Sequence, residues 1–335
     1  MDGNRLEIKR ALIRFREFGG MRLVREYARY GILLPVVKAI LCCVKERRSL
    51  KTVYSVVLDK VERILTDRYG GVLQGAVTGN SRNADTQRVP TLLWTCWLQG
   101  MEQAPAIVKA CVDSQRSSMK GYEQRVLTLD NYRQWVEVPD FVEDKYARGV
   151  IPAALFSDIL RVAVLKRYGG VWMDASVLCT GFDSDLLRRQ WQEVMDSSFT
   201  VCRFYAKGAV APTGLSNWFI VAVPGCAALD AVYAALTAYW RDYDCVVDYY
   251  MMHLFISVAL KHLQQTEHAM PKLNSRHCFM LGNSLGKNFH EKAWEDLTAH
   301  VGIHKLNYRK ASEAMKNPDS YCNFIVRNFQ NGIRV

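Results

Sequence analysis

Asp158 and Arg161 stand three positions apart, and Asp174 follows thirteen residues further on. A carboxylate and a guanidinium at the first spacing share one face of a helix. From Ile159 to Leu165 the chain is largely apolar, then reads Gly169-Gly170 and Val171-Trp172-Met173 before Asp174. That is the pattern of a helix, a stop built on two residues free to take left-handed geometry, and a short buried strand. Asp174 then falls at the carboxyl edge of a sheet, where open α/β sheets bind ligands. Two acids and a guanidinium gathered there suit a ligand rich in hydroxyls and phosphate. Arg161 can fork onto a phosphate or a hydroxyl pair, and Asp158 can accept from hydroxyls. Asp174 can hold a hard divalent cation, which takes oxygen ligands and neutralises a diphosphate. Ser157 is placed to cap the helix, which sets Asp158 and Arg161 near its positively polarised end. Taken singly, each residue also fits a structural role, as a cap acid or half of a surface ion pair.

The elements that must position these groups can be traced in order. Residues 1–70 carry helical, amphipathic spacing, with Leu6, Ile8, Leu12, Ile13, Phe15 and Phe18 among Arg5, Lys9, Arg10, Arg14 and Arg16. Residues 76–90 are small and polar and read as a linker. The run Thr91 to Trp97 after Pro90 suits a first buried strand. Pro105 opens a helix to about Ser114, Arg125 to Leu129 is a second strand, and Asp130 precedes a short helix at Tyr132 to Trp135. After Ser176 come strands at Thr200 to Phe204 and Trp218 to Val223, then helices over about Ala227 to Tyr239 and Asp244 to Leu263. The β-α-β-α rhythm predicts an α/β domain over residues 90–335 with a mostly parallel sheet flanked by helices, preceded by a basic helical region over 1–80.

The chain of 335 residues carries a net charge of +11 that is unevenly spread. Residues 1–89 hold 18 basic and 9 acidic side chains, whereas residues 90–335 hold 26 and 24. The basic character therefore belongs to the N-terminal quarter, where residues 1–50 suit an anionic membrane surface or a solvated helical face. Nucleic acid is not an expected partner, since the basic residues lack an aromatic stacking platform or a known module. Ten cysteines show no CxxC and no metal-like spacing with histidine, which points to a reducing compartment. No apolar core follows the charged Met1 to Arg10, and the run Ile32 to Val44 is too short to span a bilayer. A cytoplasmic protein, peripheral to the inner face of the cell membrane, is the expectation.

The string SDILRxxxLxxYGGVWMDAS at 157–176 resembles the donor site of DXD-type glycosyltransferases, whose pattern runs SDxxRxxxLxxxGGxYxDxD. With LLWTCWLQG, APAIVKAC, NWFIVAVPG, DYYMMH and HKLNY, in order over residues 90–310, the chain looks like the bacterial capsular polysaccharide synthesis proteins. More distant relatives are the yeast-type α-mannosyltransferases and the glucosylating clostridial toxins. The resemblance implies a GT-A fold and a hexosyltransferase that moves a sugar from a nucleotide-sugar donor, a UDP-sugar, with retention, to a glycan or lipid-linked acceptor. It sets Trp97 against the nucleobase, Asp158 and Arg161 with Ser157 on the donor sugar and its phosphate, and Trp172 as a wall of the nucleotide site. Asn217 reaches the donor, and His304 and Lys305 come over the diphosphate. Asp174 matches the first acid of the motif, and a divalent metal, Mn or Mg, is implied on Asp174, Ser176 and His304. Ser176 departs from the motif, where the second acid is the usual direct metal ligand. Asp248 is the candidate for binding or deprotonating the acceptor. The rival reading of the same departure is a degenerate protein that binds glycan or nucleotide sugar without transfer.

Overall fold

The computed structural model describes residues 20–46, 51–79, 88–203, 215–246, 250–263 and 275–330. Its first elements are helices α1 (Met21–Arg29), α2 (Leu33–Lys45) and α3 (Lys51–Gly79). Helix α3 runs through residues 76–79, so the stretch read as a linker begins as helix; residues 80–87 lie outside the described residues. One face of α3, with Leu58, Val61, Leu65, Tyr69 and Leu73, is buried in the same core as the sheet. Residues 1–19 of the expected basic helix also lie outside the described residues.

Strand β1 (Leu92–Cys96) is buried along most of its length, as expected of a continuous apolar run covered on both faces. Helix α4 (Ala106–Ser118) follows Pro105 and leads to β2 (Glu123–Leu127). Helices α5 (Asp140–Ala147) and α6 (Ala153–Tyr168) precede β3 (Gly170–Met173). Strand β4 (Val177–Cys179) and helix α7 (Asp185–Met195) come next, then β5 (Phe199–Arg203) and β6 (Leu215–Ala222). Helices α8 (Ala227–Asp242), α9 (Met251–His262), α10 (Ser275–Ser284) and α11 (Glu291–His300) lead to β7 (Ile303–Lys305), α12 (Ala311–Ala314) and α13 (Tyr321–Phe329).

The main sheet has the order β2-β1-β3-β6-β5. β1 runs parallel to both β2 and β3, while β6 is antiparallel to β3 and to β5, so only β6 opposes the common direction. This is the α/β architecture with a mostly parallel, helix-flanked sheet that the sequence rhythm predicts. Helix α6 is buried through its middle, with Leu155, Phe156, Ile159, Leu160 and Val162 through Leu165 inside, while its two ends reach the surface. The turn into β3 needs both glycines. Gly169 and Gly170 have φ of 65° and 99°, and a Cβ on Gly170 would lie 2.5 Å from the Leu92 carbonyl oxygen.

Beyond the carboxyl end of β3, β4 pairs antiparallel with β7 in a separate two-stranded sheet, in the register Val177↔Lys305 and Leu178↔His304. A second core cluster holds this sheet against α4 and α13 through Ile107, Cys111, Leu178, Leu306 and Ile325.

Candidate functional site

Helix α6 starts at Ala153 behind Pro152, four residues before the expected cap. Pro152 has the fixed φ of a helix entry, and Ala153 to Phe156 lack any breaker, so the first turn forms there. Ser157 is thus inside the helix rather than its N-cap. Asp158 and Arg161 sit in its second and third turns, where the end dipole has faded. Their charges must be balanced by partners instead.

Those partners are present. Arg161 Nη1 donates to Asp158 Oδ1 at 2.6 Å, and Nη2 donates to Asp174 Oδ1 at 2.8 Å. The guanidinium lies over the Trp172 ring, 4.7 Å from its centroid. Trp172 Nε1 donates to the same Asp174 oxygen at 2.9 Å. From β6, Asn217 Nδ2 donates to Asp158 Oδ1 at 3.1 Å. From β7, Lys305 Nζ donates to Asp174 Oδ2 at 2.6 Å and to Ser176 Oγ at 2.8 Å. The turn carrying Asp174 is pinned as well. Its N–H donates to the Trp218 carbonyl at 2.9 Å, and Gln115 Nε2 from α4 donates to the carbonyls of Asp174 and Val177.

Burial decides the electrostatics. It pushes the Asp158 carboxyl up to about 6, against the opposite pull of Arg161. Burial acts the same way on Asp174, but Lys305 and Arg161 outweigh it and hold that carboxyl below its usual range. Arg161 is 4% exposed, so it balances two acids out of water. Losing a partner from such a buried group costs on the order of 3–5 kcal/mol. The more open groups are Asp174 and Lys305, with 24% and 20% of their side chains exposed.

The structure gathers Asp158, Arg161, Asp174, Ser176, Asn217 and Lys305 into one network. Ser157 is half-buried on the same helix, beside the Cys96 thiol. Trp97 follows β1, half-buried, and meets Tyr308 edge-on at 5.3 Å between centroids. Trp172 is fully buried, so it floors the guanidinium rather than presenting an open wall. His304 is brought elsewhere. Alternation along β7 sends it to the face opposite Lys305, and its Nε2 lies 3.2 Å from Thr180 Oγ1. Burial pushes its imidazole down to about 4. Asp248 lies outside the described residues.

These side chains are a poor donor set for a divalent cation. Asp174 is the lone carboxylate among the three residues expected to ligate it, Ser176 offers a hydroxyl, and His304 is engaged with Thr180. The Lys305 ammonium already bridges the two remaining ligands, and among the described residues no group of three or more His, Cys, Asp or Glu side chains is arranged to hold a metal ion.

Two neighbours escaped the sequence reading. His253 is buried on α9 and pushed down to about 3 by burial, then by the Arg161 charge, with Asp174 pulling the other way. It is a neutral imidazole facing the charged network, and its Nδ1 finds no partner among the described residues. Its place after Met251 and Met252, in the otherwise largely apolar run Met251 to Leu260, was the available signal. Cys96, the last residue of β1, lies among Ser157, Arg161 and both acids, with burial pushing its thiol up to about 12, so it is no thiolate nucleophile.

A family model described as capsular polysaccharide synthesis protein matches residues 43–325. No curated protein matches the sequence. Among solved structures, one titled PaToxG glycosyltransferase is similar at 12% identity and a TM-score of 0.39, over 71% of this chain and 92% of that one.

Proposed function

The chain belongs to the capsular polysaccharide synthesis protein family, and we propose that it is a hexosyl-transferring glycosyltransferase of the GT-A type. Its donor is a nucleotide sugar, a UDP-sugar in this reading, and its acceptor a glycan or lipid-linked sugar of a surface polysaccharide. The observation that carries the proposal is the Asp158–Arg161–Asp174–Lys305 network at the carboxyl end of β3. A sugar diphosphate offers hydroxyls to the acids and phosphate oxygens to the ammonium, and the strand end is where open α/β sheets take such ligands. In a retaining transfer the C1–O bond to the diphosphate breaks and its electron pair passes to the phosphate oxygen. The acceptor hydroxyl oxygen bonds C1 on the same face, and its proton passes to the departing diphosphate. Fixed positive charge near that oxygen stabilises the transition state.

One observation favours the second reading, binding without transfer: both Asp174 oxygens are already engaged. Thermal shifts against UDP-, GDP- and CMP-sugars, followed by donor turnover in the native protein and in Asp174→Ala, separate the two. Transfer predicts a stabilising donor and turnover that falls by about 100-fold or more in Asp174→Ala, the scale of losing one preorganised transition-state contact. A stabilising donor with no turnover for any acceptor leaves the binding reading.

The proposal extends to location, at the cytoplasmic face of an anionic membrane. No helix among the described residues is long and apolar enough to cross a membrane. Helix α2 instead exposes Leu34, Val37, Ile40 and Leu41 along one side, with Lys38 and Lys45 exposed on the same helix and Arg25 and Arg29 on α1. Exposed apolar side chains flanked by cations match a lipid headgroup layer.

A further inference from the structure

We infer that Lys305 takes the place of the divalent cation, binding the donor's diphosphate through its ammonium; the inference rests on the transferase reading above. Of the three side chains to which the resemblance assigns a metal, Asp174 and Ser176 come together, whereas His304 is turned toward Thr180. Lys305 Nζ lies 2.6 Å from the Asp174 carboxylate and 2.8 Å from the Ser176 hydroxyl, so a cation already sits between them. An ion on the same oxygens would have to displace that ammonium.

The substitution at Ser176 fits this arrangement. An ammonium has three donors and no need of a second negative charge, so a carboxylate and a hydroxyl suffice for two of them. The third remains for an oxygen of the ligand. Two carboxylates at 174 and 176 would instead leave an excess negative charge that a divalent ion, not a lysine, would balance. The lysine backbone is also built in place. Lys305 pairs with Val177 in the β4–β7 register, and the next N–H, of Leu306, donates to the Ser176 carbonyl at 2.9 Å. On its other side, helix α10 approaches so closely that a Cβ on Gly282 would lie 2.4 Å from the Lys305 carbonyl oxygen. The charge is thus delivered by the fold, without recruitment from solution.

The test combines Mn²⁺ titration followed by electron paramagnetic resonance with calorimetry of UDP, GDP and CMP, in EDTA and in Mn²⁺. The full chain is compared with Lys305→Met, Lys305→Arg and Asp174→Asn. The expected result is a free Mn²⁺ signal that the native protein leaves unchanged, alone or with nucleotide. The nucleotide that binds does so equally in EDTA and Mn²⁺, weakens about tenfold or more in Lys305→Met, and recovers in Lys305→Arg, as for one lost charge-assisted contact. Mn²⁺ bound by the native protein and released in Asp174→Asn overturns the inference alone, as does nucleotide binding indifferent to Lys305→Met. Binding of none of the nucleotides counts against the donor reading itself.

Discussion

Asp158 and Asp174 share one guanidinium yet are driven in opposite directions. Burial raises Asp158 to about 6, while Lys305 and Arg161 keep Asp174 below its ordinary range. For Asp158 the folded state binds its proton more tightly than the unfolded chain. Its contribution is fully present below the ordinary carboxyl value of 3.8 and is lost as pH rises to about 6. A shift of that size corresponds to about 3 kcal/mol. Asp174 has the reverse sign, contributing above its ordinary value and losing that contribution as pH falls. Comparing Asp158→Asn with the native protein isolates the first effect. The melting-temperature difference should move in favour of the variant as pH rises from about 4 to about 6, then level off. A difference flat across that window would mean that Asp158 ionises normally. The paired acids and Arg161 were legible from their spacing. That Arg161 is spent on both acids was not, because a spacing of three reports a shared helix face and nothing of a carboxylate thirteen residues on. Trp172 shows the same limit: an aromatic beside an acid reads as a ligand wall, yet burial makes it a floor.

At the level of elements, β1, β3 and the glycine turn between α6 and β3 were readable, since apolar runs bounded by Pro or Gly announce themselves. The start of α6 was misplaced because Ser157 has the chemistry of a cap, while Pro152 offers the geometry. The reversed direction of β6 and the pairing of β4 with β7 had no local signal: three-residue strands carry too little periodicity to declare a partner. Gly282 is the position where α10 sets β7. Replacing it with Ala forces helix and strand apart, an overpacking cost of about 1–3 kcal/mol. The expected outcome for Gly282→Ala is weakened nucleotide binding resembling that of Lys305→Met, with the sheet's circular dichroism retained. Native affinity in Gly282→Ala would show that the contact does not place Lys305.

Across the whole molecule, the N-terminal helices belong to the same core as the sheet. Tyr69 on α3 donates to Asp242 at 2.9 Å, and Arg68 and Tyr30 bond to Tyr243 and Tyr239 at the end of α8. The exposed side of α2 is therefore presented by a braced scaffold. Leu34→Glu with Leu41→Glu should abolish binding to vesicles containing anionic lipid, measured by co-sedimentation, while leaving donor affinity intact. Undiminished sedimentation would remove α2 from the interface. The distance along the chain between Asp174 and Lys305 has a consequence for biosynthesis. The sheet, α6, Arg161 and Asp174 can all be translated before Lys305, the second cation on Asp174, exists. A polypeptide interrupted between β6 and β7 holds the acids and Arg161 but lacks the ammonium at the β4 turn, so its affinity for the nucleotide should fall at least as far as that of Lys305→Met.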